Sequence, residues 1–211
     1  MRKPFFTVAL LGLLAGSGCV TTPPTVGEQA PTLPDEQAEQ AYQSVLEKYT
    51  ARKEIYDGFD TRVFAGATLQ TPAFREARVR RRALFQVLPE NMVEQLLAEE
   101  RAEPGQVHEF FLGVHLNDNR YGDFDPKRSI WRLALVTPAG EVTPTRVIRV
   151  GRANLDMRAY YPYTGVFWVG WEVHFPTTLS NGQPVIPPGT QQVTFRMASS
   201  LGKAELTMSA Q

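Results

Sequence analysis

The hydrophobic pattern of this chain changes period once, near Val107, and that change limits the folds open to it more than any other feature. Before it, apolar residues recur at helical spacing; after it, they alternate. From Val107 to Leu116, Phe110, Leu112, Val114 and Leu116 fall on one face of an extended segment. Ser129 to Thr137 places Trp131, Leu133 and Leu135 together, and Pro138-Ala139-Gly140-Glu141 reads as a turn before a strand over Val142 to Val150. The strongest strand runs from Val166 to Phe175, with Phe167, Val169, Trp171, Val173 and Phe175 on one side. Thr190 to Ser199 and Ala204 to Ser209 make a last hairpin around Leu201-Gly202-Lys203.

Short strands divided by Gly and Pro turns, with no helices between them, predict an antiparallel sandwich over 105–211. In strand number and spacing this half resembles an immunoglobulin-like domain, without its cysteine pair, and the likeness is to architecture alone. The half before it reads as helical over 35–104. Asp35 and Glu36 suit a helix N-terminus, and Ala38, Ala41, Tyr42, Val45, Leu46, Tyr49 and Tyr56 keep helical spacing up to a stop at Gly58. Phe59 to Leu69 reads as loop or short helix. Thr71-Pro72 opens a helix to about Leu88, with Phe74, Ala77, Leu84, Phe85 and Leu88 inward. A further helix runs from Glu90 to about Glu103, with Met92, Val93, Leu96 and Leu97 inward, until Pro104-Gly105 ends it. The fold class expected is therefore α+β, with N-terminal helices packed on a C-terminal antiparallel, immunoglobulin-like β-sandwich.

The first 34 residues are of another kind. Met1-Arg2-Lys3 supplies positive charge, Phe5 to Leu14 an apolar run too short to span a bilayer, and Ala15-Gly16-Ser17-Gly18 small residues just before Cys19, the only cysteine. This resembles a bacterial lipoprotein signal, although Gly16 stands where that family usually has Leu. The resemblance implies cleavage after residue 18, lipidation of Cys19, and attachment to the bilayer, with Val20 favouring the outer membrane. The alternative is an ordinary cleavable signal, with Ala15 and Ser17 as the small-residue pair. Arg2 and Lys3 are the only charges in 1–18, so losing them takes 22 basic and 22 acidic side chains to a net charge of −2. That balance excludes nucleic-acid binding through bulk electrostatics. Residues 19–34 carry Pro23, Pro24, Pro31 and Pro34 and read as an extended tether, reaching up to about 45 Å.

Chemistry is sparse in the remainder. The run Arg75-Glu76-Ala77-Arg78-Val79-Arg80-Arg81-Arg82 reads as a partner for Glu90, Glu94, Glu99, Glu100 and Glu103 on the next helix, or as a patch for anionic headgroups. Asp118, Asp123 and Asp125 sit in a Gly-containing loop that could hold calcium but lacks EF-hand spacing, and Asx turns account for them better. His108 and His115 are seven apart on one strand and so face opposite ways, leaving His174 too few partners for a metal. No Gly-x-Ser-x-Gly elbow, HExxH pair or P-loop is present. A catalytic site, metal or cofactor is therefore not expected. The candidate surface is aromatic: Tyr160, Tyr161 and Tyr163, with Trp168 facing away from Phe167 and Trp171. The same side chains are also what fills a sandwich core and its edges, and that is the preferred reading.

Tyr56-Asp57-Gly58-Phe59-Asp60-Thr61-Arg62, His108-Glu109-Phe110-Phe111, Ser129-Ile130-Trp131-Arg132-Leu133 and Tyr161-Pro162-Tyr163 together resemble uncharacterised envelope lipoproteins of myxobacteria and related bacteria. The resemblance implies no known reaction. The expectation is a lipid-anchored, non-catalytic binding or scaffolding module of the cell envelope, engaging an envelope protein. The alternatives are an assembly factor of a secretion or motility machine and a metal-dependent envelope hydrolase.

Overall fold

Asp35 sets where the ordered chain turns helical. Its carboxylate accepts from the amides of Gln37 and Ala38, capping α1 (Glu36–Lys48), and Glu36 and Glu39 in the first turn complement the helix dipole. The structure, a computed structural model, describes residues 29–102 and 105–211. The lipidation site expected at Cys19, the signal at 1–18 and most of the tether lie outside the described residues.

The expected helix to Gly58 is corrected: α1 stops at Lys48, and β1 (Thr50–Asp57) and β2 (Asp60–Leu69) follow as an antiparallel hairpin. Gly58, at φ +61, takes the left-handed conformation that the two-residue turn with Phe59 requires. Ile55 is the only buried residue of β1, so that strand shows no alternation in its sequence. Val63 to Leu69 are all buried, which hides the period of β2 as well.

Thr71 caps α2 (Pro72–Gln86) by accepting from the Phe74 amide, with Pro72 in the first helical turn. α2 buries Phe74, Val79 and Arg81, whereas Leu84, expected inward, is exposed. α3 (Glu90–Ala102) buries Val93 and Leu97 against Val79 and exposes Met92, also expected inward. No helix among the described residues is long and apolar enough to cross a membrane.

β3 (Val107–Leu116) spans the residues expected of it. After a short 3₁₀ turn at Asn119–Tyr121 come β4 (Arg132–Thr137), β5 (Gly140–Val142), β6 (Arg146–Arg152), α4 (Leu155–Tyr160), β7 (Val169–Pro176), β8 (Gln192–Ser199) and β9 (Gly202–Ser209). They form two antiparallel sheets, ordered β1-β2-β3-β7-β6 and β5-β4-β8-β9. One apolar cluster joins the sheets: Leu112, Trp171 and Val173 from the first, Leu135, Phe195 and Leu206 from the second. Phe167, expected inward on a strand from Val166, is exposed because β7 begins only at Val169.

β2 pairs with β3 from Val63↔Leu116 to Leu69↔Phe110, and Ile55 and Val63 belong to the same core. The expected division into a helical 35–104 and a sandwich 105–211 is thus corrected, since the hairpin at 50–69 belongs to the sheet. A second cluster lies on the other face of the five-stranded sheet. There Tyr42 and Leu46 of α1 and Phe74 of α2 meet Phe64, Phe111 and the aromatic segment after α4.

Candidate binding site

Four glycines lie in one row across the five-stranded sheet: Gly66↔Gly113, Gly113↔Gly170 and Gly170↔Gly151 are cross-strand partners. Two of them admit the segment that crosses the sheet after α4, and a third admits Met157 of α4 itself. A Cβ on Gly66 would stand 2.5 Å from Cε2 of Tyr163, one on Gly113 2.9 Å from Cγ2 of Thr164, and one on Gly170 2.6 Å from Cε of Met157. Strand glycines of this kind mark a close approach of another layer.

The aromatic run expected as a partner surface fills this row. Tyr161, Tyr163 and Trp168 are buried, Trp168 to 2% exposure, and only Tyr160 keeps partial access. The expectation of an accessible surface at Tyr160, Tyr161, Tyr163 and Trp168 is corrected for the three buried members. Their rings found better contacts inside: Tyr161 stacks on Phe111 at 3.7 Å between centroids, and Trp168 meets Tyr163 edge-on at 6.2 Å. Trp168 lies in the cluster beneath the N-terminal helices and Trp171 in the core between the sheets, although Trp168 precedes β7 and strand alternation does not place it.

Each buried hydroxyl in this layer has a partner. Tyr42 donates to the Tyr160 carbonyl at 2.6 Å, Tyr161 donates to Oε1 of Gln70 at 3.2 Å, and Tyr163 shares a bond with Thr68 at 2.9 Å. Burial raises the pKa of all three phenols above the usual tyrosine value, so they act as neutral donors. The network runs on from Gln70 to charged groups. Arg78 donates to Oε1 of Gln70 at 3.1 Å and to Glu100 at 3.2 Å, and Arg75 donates to Glu109 at 2.7 Å and to Glu100 at 3.5 Å. Burial works against the charge on Arg78, but Tyr161 and Glu100 more than offset it, and its pKa is raised.

Gln70, Arg75, Glu100 and Glu109 of this network form the wall of a cleft of about 770 Å³ between the start of α2, the end of α3 and the β3–β7 pair. Glu109, Glu172, His108 and His174 line it together with Arg75. Glu109 and His174 are direct cross-strand neighbours, and Glu172 stands two residues before His174 on the same face. A second recess of about 250 Å³ under α4 shares Glu109 and Glu172 and adds Arg78, Asp156 and Tyr160. The result is a polar, mixed-sign groove along the outer face of β3, β7 and β6. Sequence reading passed over Glu109 and Glu172, although both hold the outward positions of strands whose inward positions were recognised.

Of the other candidates, His108 and His174 line this groove, whereas His115 and the Asp118–Asp125 loop do not. His108 and His115 do face opposite ways: His108 pairs with Phe175, and the His115 ring lies tilted against Phe64 at 6.0 Å, on the helix side. No group of three or more His, Cys, Asp or Glu among the described residues is arranged to hold a metal. Asp118 accepts from the Arg120 amide at 3.0 Å, Asp123 from Asp125 at 2.9 Å and Asp125 from Lys127 at 2.9 Å, all as Asx turns. Their carboxylates pair with Arg120 and Arg128.

In the basic run, Arg75 and Arg78 meet Glu100 of the facing helix, and Arg101 meets Glu76 at 3.5 Å in the reverse sense. Arg81 departs from that pattern. Its side chain has no exposed surface and reaches Glu39 of α1, the Ala159 carbonyl at 2.7 Å and the Pro31 carbonyl at 3.1 Å. No family model matches the chain, and the curated proteins and the solved structures give no match either.

Proposed function

We propose that this chain is a lipid-anchored bacterial envelope protein whose folded body is a non-catalytic binding or scaffolding module. The observation that carries the binding reading is the mixed-sign groove along β3 and β7, where helices leave Glu172 and His174 only half-buried beside Glu109. Arg75 and Arg78 hold Glu109 and Glu100 of its wall in ion pairs, which fixes a charged frame beside Glu172 and His174 and suits recognition of a polar partner. The positive run, apolar stretch and Cys19 support the anchor, and Pro31 and Leu33 bring the chain onto the body beside Arg81 and Glu39. Several acyl chains at Cys19, each buried CH₂ worth about 0.8 kcal/mol, would hold the molecule permanently at a bilayer.

The immunoglobulin-like reading of the sandwich is part of the same proposal. With β2 taken as strand A, β3 as B, β4 as C, β5 as C′ and β6 to β9 as D to G, the sheets read A-B-E-D and C′-C-F-G. That order is the one immunoglobulin domains use, with β1 as an addition outside strand A. The architecture supports a surface for recognition and supplies no activity by itself.

The deciding experiment is the intact mass of the protein extracted from membranes, beside a Cys19→Ala variant. A diacyl or triacyl mass lost in the variant supports the anchor; an unmodified mass ends it. Charge reversal at Glu172 that leaves capture of an envelope partner unchanged would end the groove reading.

A further inference from the structure

Two open sheets have four edges, and this molecule treats one of them differently. β1 lies against β9, with Ile55 in the space a Cβ on Gly202 would need, so these two strands cover each other's flank. β5 is only three residues long, too short to template another strand. β6 has seven residues, Arg-Val-Ile-Arg-Val-Gly-Arg, and its ladder is to β7 alone. Among the described residues no hydrogen bond reaches its other flank.

The side chains of β6 point to an occupant. Arg146, Arg149 and Arg152 are exposed, none has an ion-pair partner among the described residues, and the strand carries no acid. Val147 and Ile148 stand half-buried between the first two arginines. At the same flank the sheets part over a recess of about 430 Å³ of mixed polarity, where Ile130, Leu133 and Val147 stand beside Arg132 and Thr143. Edge strands are usually blunted by charge, and the bulge between Arg149 and Gly151 does confine straight pairing to the first part of β6. Yet arginines three apart with two apolar residues between them form a pattern that another strand can complement.

The geometry points to β6 as a docking edge for an extended acidic segment of a partner protein, added as a sixth strand, with acids spaced three apart around two less polar residues. Backbone hydrogen bonds would supply affinity, the acids would meet Arg146 and Arg149, and a residue between them would enter the recess beside Val147. This rests on the binding-module reading and names its partner class.

The test uses the full chain in detergent with a labelled peptide, Glu-Val-Thr-Glu-Val-Thr-Glu, and its Lys-for-Glu counterpart. The Glu peptide is expected to bind, to protect the amides of 146–150 in hydrogen exchange, and to weaken as salt rises, while the Lys peptide does none of these. Reversing all three arginines to Glu is expected to weaken the Glu peptide about tenfold or more. Should that variant lose its native circular dichroism, Arg149→Glu alone carries the comparison. Absence of protection over β6, or equal binding of the two peptides, overturns the proposal. An envelope partner captured equally by wild type and the reversed variant overturns the edge while leaving the module reading standing. Capture by neither overturns the module, and the peptide result then judges the edge alone.

Discussion

Nη1 of Arg81 lies 2.6 Å from Oε2 of Glu39, and this pair ties together α1, α2, the end of α4 and the segment before α1. The guanidinium also sits 4.3 Å from the centre of the Tyr42 ring, and Glu39 accepts from the Leu33 amide at 2.8 Å. Every partner is at bonding distance, so the burial of a charge is compensated.

Removing one member leaves the other with its desolvation uncompensated. Glu39→Ala is expected to cost about 3 kcal/mol, because it strands a guanidinium with no exposed surface. The double variant Glu39→Leu/Arg81→Met should be clearly more stable than Glu39→Ala, since no charge stays buried. Urea unfolding of the three proteins checks this, and a double variant no better than the single would show that the pair is not the source of the loss.

Acid should weaken the fold in two separate windows. Burial holds the His108 imidazole below its ordinary value of 6.5, so it is neutral in the native state while the unfolded chain takes up a proton. Its contribution is present above about pH 6.5 and is lost as pH falls through the depressed native value. Burial pushes the Glu39 carboxyl up, but bonds from Arg81, Leu33 and Gln43 reverse this and hold it below 4.5. Its contribution is therefore complete above that value and lost below it. Comparing Tm at pH 7.5 and 5.5, His108→Asn should show the smaller drop; an identical drop would exclude His108 as the cause.

Arg81 also shows what the sequence could and could not convey. β7 was legible because Trp171, Val173 and Phe175 alternate with half-buried residues, and β3 because Phe110, Leu112, Val114 and Leu116 keep a period of two even though Phe111 is buried on its other face. β1 and β2 were not, since one buries a single residue and the other every residue from Val63 to Leu69. An arginine in a run of arginines gives no sign that it alone faces α1. The aromatic segment was visible, but its destination depended on a register that aligns Gly66, Gly113 and Gly170, far apart in the chain. Glu109 and Glu172 of the groove become neighbours through that same register.

Val87 ends α2 at φ +50, a left-handed conformation in which a β-branched residue is strained, and it is 86% exposed. Nothing in its packing offsets this strain. Val87→Gly should therefore stabilise the protein by about 1 kcal/mol, strain relieved outweighing the extra freedom of glycine in the unfolded chain. A higher urea midpoint at constant slope is the expected reading, and a lower one would mean that Val87 makes a contact worth more than its backbone costs.

The glycine row makes a prediction about shape. Gly66→Ala places a methyl 2.5 Å from the Tyr163 ring, which is itself held by Thr68 and capped by the Arg52 guanidinium at 5.6 Å from its centroid. The ring cannot yield without losing its hydroxyl partner, so the substitution should cost about 1–3 kcal/mol as overpacking. Gly105→Ala, with nothing within 4 Å of the added carbon, should leave stability unchanged and serves as the control. Tyr163→Leu in the Gly66→Ala background should recover part of the loss, because a shorter side chain leaves room for the methyl. A Gly66→Ala protein as stable as wild type, by thermal unfolding, would mean that the aromatic segment is not seated on this row.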